Sequence, residues 1–137
     1  MKKFKFLEHT ADVKFQAFGK TIEETFKNSA LAMFNVLHKG KIKSKKKIKI
    51  TVKGRDFESL LYNFLEEFLV LFDSENFFLS KIDKIKIDKK NFKLRAEVSG
   101  DNTENYEMST YVKAVTYNEM FIRRKKDKWI AQVVIDI

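Results

Sequence analysis

Apolar residues recur every three or four positions in two stretches of this chain. In the first stretch Thr21 and Glu24 form a capping-box pattern, and Gly40 marks the end. In the second stretch Asp56 is the expected N-cap, and the pattern runs to about Phe72. This spacing predicts two amphipathic helices whose apolar faces belong to the core.

Elsewhere apolar and polar residues alternate, which is typical of strands with one buried face. The alternating segments are residues 4–6, 13–18, 48–52, 82–87, 92–98, 112–117, 120–124 and 129–136. A polar turn is expected at 88–91, and a terminal hairpin is expected to close across 125–128. The order of elements predicts one α+β domain over residues 1–137. We expect a two-layer sandwich, with two helices packed on one face of a mixed, largely antiparallel sheet.

The composition indicates a globular protein without disulfides or membrane anchors. The chain has 137 residues, of which 14 are Phe and none is Cys. Neither disulfides nor thiolate zinc sites are therefore available, which fits an intracellular protein. There is no secretory signal, and no apolar run approaches the roughly 20 residues that a membrane helix needs. We expect a cytoplasmic protein that makes no membrane contact.

Basic residues outnumber acidic ones. The chain has 28 Lys and Arg against 19 Asp and Glu, for a net charge of +9, and much of the excess lies at 39–47 and 123–128. These two runs either attract RNA or an RNA-bound partner, or they are solvated loops and edge strands in which lysine discourages aggregation. Because no RRM, KH or zinc-finger signature is present, charge steering is favoured over direct recognition of RNA.

Only two histidines are available for proton transfer or metal binding. His9 lies in the acidic loop 8–12, where it either acts on a proton, a metal or a phosphate, or hydrogen-bonds its own turn. For His38, near a helix end, a structural role is favoured. The chain lacks a nucleophile elbow, a Walker A loop and a dinucleotide fingerprint, so independent nucleotide chemistry is not expected.

The most informative polar residues lie near the two ends of the chain. Asp12 precedes or starts a predicted strand, Asp136 ends another, and Ile137 carries the terminal carboxylate. If the fold brings Asp12 beside that end, three anionic groups meet. Such a cluster suits a hard divalent cation, which selects oxygen ligands. Taken singly, each aspartate is more simply explained as a turn residue at a strand end.

Several blocks of residues follow one another along nearly the whole chain: FLEHTADV at 6–13 and the segments 29–36, 60–68, 71–73, 112–120 and 129–137. Together, and in this order, they resemble the archease family. The resemblance implies a small protein that assists the RtcB-type RNA ligase, and not an enzyme. Members of the family help the ligase to acquire GMP and to turn over repeatedly, and the RNAs that are joined include tRNA halves.

The same resemblance implies a metal site. Asp12 matches the aspartate of the family's His-Thr-Ala-Asp motif, and Asp136 with Ile137 matches its terminal Asp-Ile pair. The implied ion is calcium, with magnesium or manganese as alternatives. The implied partner is the ligase, with weak or indirect contact to tRNA. Members often carry His where this chain has Asn118, so a role for that imidazole is not carried over.

The residues themselves leave two other functions open. A basic RNA-binding chaperone domain would act without the ligase, and its affinity for RNA would fall steeply as salt rises. An independent metal-dependent hydrolase would be active alone, but the missing nucleophile motifs disfavour it.

Overall fold

The computed structural model describes all residues from Met1 to Ile137, which form two helices and seven strands. The helices are α1 (Ile22–Leu37) and α2 (Phe57–Glu75), and neither is apolar over enough length to cross a membrane. The strands are β1 (Phe4–Leu7), β2 (Asp12–Gly19), β3 (Lys46–Lys53), β4 (Phe77–Asp88), β5 (Lys93–Asn102), β6 (Ala114–Lys125) and β7 (Lys128–Asp136). A short 3-10 helix, Thr103–Asn105, follows β5.

Both helices begin at the N-caps that the sequence predicts, although the predicted capping box of α1 is incomplete, because Glu24 Oε1 accepts from the Lys20 amide and not from that of Thr21. The Glu24 amide donates to Thr21 Oγ1 at 3.1 Å. At α2 the Ser59 amide donates to Asp56 Oδ1 at 2.7 Å, and the Asp56 amide donates to Ser59 Oγ at 3.2 Å, which completes a capping box. Helix α2 runs slightly past its predicted end and stops where Asn76 adopts a left-handed conformation with φ of 52°.

The strands form two antiparallel sheets. One has the order β1-β2-β7-β6 and the other has the order β3-β5-β4. The predicted α+β class is confirmed, although the strands are divided between two sheets and do not share one. Each helix contacts both sheets: α1 packs on β2 and β4, and α2 packs on β6 and β4. Alternation along a strand shows which face is buried but not which strands pair, so this division is not visible in the sequence.

The helices and both sheets contribute to one aromatic core. Thirty-two buried hydrophobic residues form a continuous cluster. Within it the fully buried Phe68 ring packs edge-to-face on two neighbours, at 5.8 Å from Phe34 and 4.9 Å from Phe64. This core supports β2 and β7, whose ends carry the polar residues of the candidate site.

Candidate metal centre

The pairing of β2 with β7 brings residues from near the two ends of the chain together. Asp12, the first residue of β2, lies directly opposite Asp136, the last residue of β7. On the other side of β7, Asp136 pairs with Ala114 of β6. Alternation places Asp12 and Lys14 on one outward face, because Val13 between them packs against the core. Asp12 and Asp136 therefore meet across the pair of strands, as expected from the sequence.

The two aspartates form a like-charged cross-strand pair. Directly opposite residues in a sheet have Cβ atoms about 4.5–5.5 Å apart, and like charges at that spacing are destabilising. Neither aspartate forms an ion pair with a lysine or an arginine. A positive charge supplied from outside the chain would relieve this repulsion.

His9 contacts both Asp12 and a carboxylate from β6. Its Nε2 lies 2.8 Å from Glu119 Oε2, and its Nδ1 lies 3.3 Å from Asp12 Oδ2. The second contact is within ion-pair distance, but its geometry is not that of a hydrogen bond, so Nδ1 is buried without a hydrogen-bond partner. Two acceptors that face each other repel unless a proton or a cation lies between them. The hydrogen bond of His9 reaches a distant strand and not its own turn.

Glu119 is the residue of this site that the sequence analysis missed. It lies where the pairing of β6 with β7 shifts register, and its φ is 55°. Its carboxylate meets His9 and also Lys14, whose Nζ lies 3.3 Å from Oε1. The hydrogen bond from His9, and next the one from Lys14, hold the pKa of Glu119 below its ordinary value. In the sequence, Glu119 is marked only by its place beside Asn118 in segment 112–120, one of the blocks that resemble the archease family. The alternation of apolar and polar residues does not locate a bulge.

The Glu119→Gln variant is expected to be less stable than the natural chain only at pH values at which the Glu119 carboxyl of the natural chain is ionised. Because folding lowers the pKa of Glu119 from 4.5, its ionic contacts stabilise the fold above that pH, and their contribution is lost as pH falls through the lower folded value. Urea unfolding of both proteins between about pH 3 and pH 7 measures this. A difference in unfolding free energy that is independent of pH would show that the contacts of Glu119 are not ionic.

The oxygen donors at this end of the sheet suit a divalent cation. No three His, Asp or Glu side chains cluster in metal-binding geometry anywhere in the chain. The three residues that the family resemblance implies as metal ligands, Asp12, Asp136 and Ile137, lie at this end of the sheet, and we call them the acidic tip. The Lys113 amide donates to the Asp136 main-chain oxygen at 2.8 Å and so holds the end of β7. Neither Asp12 nor Asp136 has a lysine or arginine partner, and His9 Nδ1 has no hydrogen-bond partner, which is compatible with a bound ion.

A groove of about 430 Å³ opens beside Asp12. Its walls include Glu8, His9, Asn35 and Lys39. The groove therefore exposes polar groups of both signs next to the acidic tip, and a partner that docks at the tip would meet them.

His38 has the structural role that was predicted. Its backbone amide donates to the Phe34 oxygen at 2.9 Å, and its Nδ1 donates to the Glu107 main-chain oxygen at 2.6 Å. Its ring packs on Phe78 and Tyr106, with centroids 5.9 Å and 5.5 Å away. These contacts tie the end of α1 to β4 and to the segment after β5.

A sequence model of the Archease protein family matches residues 4–137 of the chain. The chain belongs to the archease family. The matched range contains Asp12, Asp136 and Ile137 together with His9 and Glu119, so the candidate centre lies wholly within it.

Two similar relatives are themselves called archease. Protein archease from Methanosarcina acetivorans is 40% identical over 141 residues, which covers 99% of this chain and 97% of that protein. Protein archease from Pyrococcus furiosus is 43% identical and is matched over 100% of both chains. Neither of these archease names denotes an enzyme.

Two solved structures share the fold. The solution structure of Methanobacterium thermoautotrophicum protein 1598 matches with a TM-score of 0.84 at 34% identity, over 100% of both chains. A crystal structure from Thermotoga maritima, described as an archease and possible chaperone, matches with a TM-score of 0.66 over 97% of this chain and 96% of that one. At 19% identity, the second comparison shows the fold alone.

Proposed function

We propose that the chain activates an RtcB-type RNA ligase, promoting guanylylation of the ligase and its repeated turnover in tRNA splicing. Membership of the archease family supports this proposal. The observation that carries it is the placement of Asp12 opposite Asp136 at one end of the β1-β2-β7-β6 sheet. A chain with a net charge of +9 that gathers carboxylates at one point offers a partner an electrostatically distinct docking surface.

In this proposal the acidic tip binds one calcium ion, or magnesium or manganese in its place. Asp12, Asp136 and the terminal carboxylate of Ile137 are the ligands, because such cations prefer anionic oxygen. When bound, the ion offsets the repulsion of the carboxylates and supplies positive charge toward a phosphate group. The transfer of GMP itself remains with the ligase.

A series of charged contacts supports the acidic tip from the side. Lys14 contacts Glu119, and Glu119 contacts His9. His9 in turn faces Asp12, so the loop 8–12 is held against β6. Because these contacts already hold the side chains in place, docking of the acidic tip on the ligase costs little side-chain conformational entropy.

Guanylylation of the purified ligase tests this function. The ligase is incubated with labelled GTP, with and without the chain, and then with an excess of RNA ends. We expect the chain to raise the yield of guanylylated ligase and to allow more than one joined product per ligase molecule. Equal yields with and without the chain would exclude the proposal.

Two residues added after Ile137, such as Gly-Ser, are expected to weaken calcium binding by roughly 10- to 100-fold and to reduce stimulation of the ligase. The extension turns the terminal carboxylate into a neutral amide, so the ion loses an anionic donor. The same two residues placed before Met1, which is 68% exposed, are the control and should change neither property. Full calcium affinity in the C-terminally extended chain would show that the terminal carboxylate is not a ligand.

A basic RNA-binding chaperone that acts without the ligase is the second candidate function. The net charge of +9 favours it. Of the two basic runs, 39–47 spans the loop before β3 and the start of that strand, and 123–128 covers the turn between β6 and β7. RNA affinity that falls steeply as salt rises, together with no effect of the chain on guanylylation of the ligase, would favour this function over the first.

A further inference from the structure

The outward face of the β3-β5-β4 sheet is strongly basic. The three strands pair in register, so their outward side chains line up in rows across the sheet. Three successive rows contain six cations, all at least partly exposed, which we call the basic sheet face: Lys49, Lys53, Lys84, Lys86, Lys93 and Arg95.

Few carboxylates balance this charge. The same rows contain Glu97 and Asp88, so six cations and two carboxylates leave a net charge of +4. Glu97 lies 4.0 Å from the Lys84 ammonium. Asp88 accepts hydrogen bonds from the amides of Lys90 and Asn91 in its own turn. The other cations of the face take part in none of the ion pairs of the chain.

The cations of the basic sheet face are not confined to the edge strands of the sheet, so protection of its edges does not explain all of them. Both outer strands are edges, and lysines on an edge strand discourage aggregation, which accounts for those on β3 and β4. Strand β5 is central, yet it carries Arg95 directly opposite Lys86, and Lys93 directly opposite Lys53 on one side and Asp88 on the other. Like charges in direct opposition destabilise a sheet, and edge protection does not require them. A bound polyanion would turn this repulsion into attraction.

A groove of about 580 Å³ runs over the same face. Its lining includes Lys49, Lys86 and Arg95 together with Thr51, and it contains one carboxylate, Glu97. A chain of phosphates lying in this groove would meet both positive charge and hydrogen-bond donors.

Other anionic partners fit the face less well. Binding at a membrane surface requires apolar or aromatic anchors beside the cations, and protein interfaces depend on buried anchors of the same kind. The large exposed apolar residues of the chain all lie elsewhere: Met1, Phe6, Val70, Met108, Tyr111 and Tyr117. A phosphodiester backbone needs only closely spaced cations and donors.

We propose that the basic sheet face binds RNA through its sugar–phosphate backbone, without reading its sequence. The choice of RNA over DNA rests on the proposed function, in which the partner ligase joins RNA ends. Binding itself requires neither the ligase nor a metal ion. Because the face belongs to the β3-β5-β4 sheet and the acidic tip to the other sheet, RNA and ligase would use separate surfaces.

Fluorescence anisotropy of a labelled tRNA transcript, titrated with the isolated chain at several salt concentrations, tests the proposal. The test variant carries three substitutions in the basic sheet face: Lys49→Gln, Lys86→Gln and Arg95→Gln. The matched control carries three on exposed cations outside this face and outside the two basic runs: Lys2→Gln, Lys3→Gln and Arg55→Gln. Both variants lose two lysines and one arginine, so only the location of the lost charge differs.

The loss of three phosphate contacts sets the expected effect. Between about 50 and 200 mM salt, the natural chain should lose roughly 20- to 40-fold more affinity than the test variant, which releases three fewer counterions. The control variant should keep the salt dependence of the natural chain. Lys86→Gln alone should reduce the slope of log affinity against log salt by about 0.7–0.9, and Arg95→Lys should leave it unchanged.

Equal losses of RNA affinity and of its salt dependence in the two triple variants would overturn the proposal. So would absence of RNA binding by the natural chain, or tighter binding to anionic vesicles or to DNA of the same sequence. Thermal melting by circular dichroism checks that each variant is folded. Guanylylation measured on the same variants separates the two proposals, because RNA binding can fail while stimulation of the ligase persists, and stimulation can fail while RNA binding persists.

Discussion

The Asp12→Asn variant is expected to lose calcium affinity by at least about 100-fold and, with it, stimulation of the ligase. Loss of even an outer-shell partner of a metal ligand typically costs about 10–100-fold in metal affinity, so loss of a ligand should cost more. Asparagine keeps the shape of the side chain but removes an anionic oxygen ligand. Asp136→Asn should have the same effect, because the two residues lie opposite each other on β2 and β7. Calorimetric titration of the isolated chain with calcium and the guanylylation assay measure the two losses.

The Asp136→Asn substitution is expected to raise the stability of the metal-free chain by up to about 1 kcal/mol, because it removes one charge from a like-charged cross-strand pair and Asp136 has no ion-pair partner to lose. Calcium should then raise the melting temperature of the natural chain but not that of either variant. If metal-free stability rises while the stabilisation by calcium disappears, the variant has lost a metal ligand and not its fold. Thermal melting with and without calcium measures both.

Asp73→Asn is the matched control for this experiment. Asp73 is exposed near the end of α2, and its substitution removes the same charge away from the acidic tip. Neither calcium affinity nor stimulation should change in this variant. Natural calcium affinity in Asp12→Asn would refute the metal site, and if stimulation were lost nonetheless, Asp12 would contact the ligase directly.

The Phe68→Ala variant is expected to lower the free energy of unfolding by about 3–5 kcal/mol. Phe68 is fully buried, and its ring packs edge-to-face on Phe34 of α1 and Phe64 of α2. Truncation would leave a cavity between the helices, which rigid neighbours fill only in part. Since typical domains are stable by about 5–15 kcal/mol, this loss is a large share of the total. Urea unfolding followed by circular dichroism measures it.

Val70→Ala is the control on the same helix. Val70 is 48% exposed, so its truncation should change the unfolding free energy by less than about 0.5 kcal/mol. If the two variants were destabilised equally, the core would not be packed around Phe68. The folded fraction of Phe68→Ala should bind calcium as the natural chain does, because the substitution leaves the acidic tip unchanged.

The helices and the terminal hairpin could be predicted because their determinants are local. Thr21 and Asp56 cap the helices through bonds to residues only three positions away, and such a pattern is visible in any short segment. The turn between β6 and β7 could also be predicted, because it lies between two segments in which apolar and polar residues alternate. The division into two sheets could not be predicted, because strand pairing depends on contacts between distant segments.

The candidate site was predicted only in part. Asp12 and Asp136 drew attention through their positions and through the family resemblance, and the register of β2 with β7 confirms that they meet. Glu119 was missed because its contact with His9 joins residues 110 positions apart and depends on an irregularity in β6. The charge of the basic sheet face was likewise hidden, because its cations come from three strands that pair only in the folded chain.

The sequence by itself determined the helices, the faces of the strands, the excess of positive charge and the kinship with the archease family. Each of these follows from the order of residues within short segments, or from blocks of residues that can be matched one after another. The tertiary structure alone decided that Asp12 lies beside Asp136, that Glu119 reaches His9, and that cations gather on one sheet. The physical reason is that charges interact through space, so their effect depends on strand pairing, which no single segment of the chain encodes.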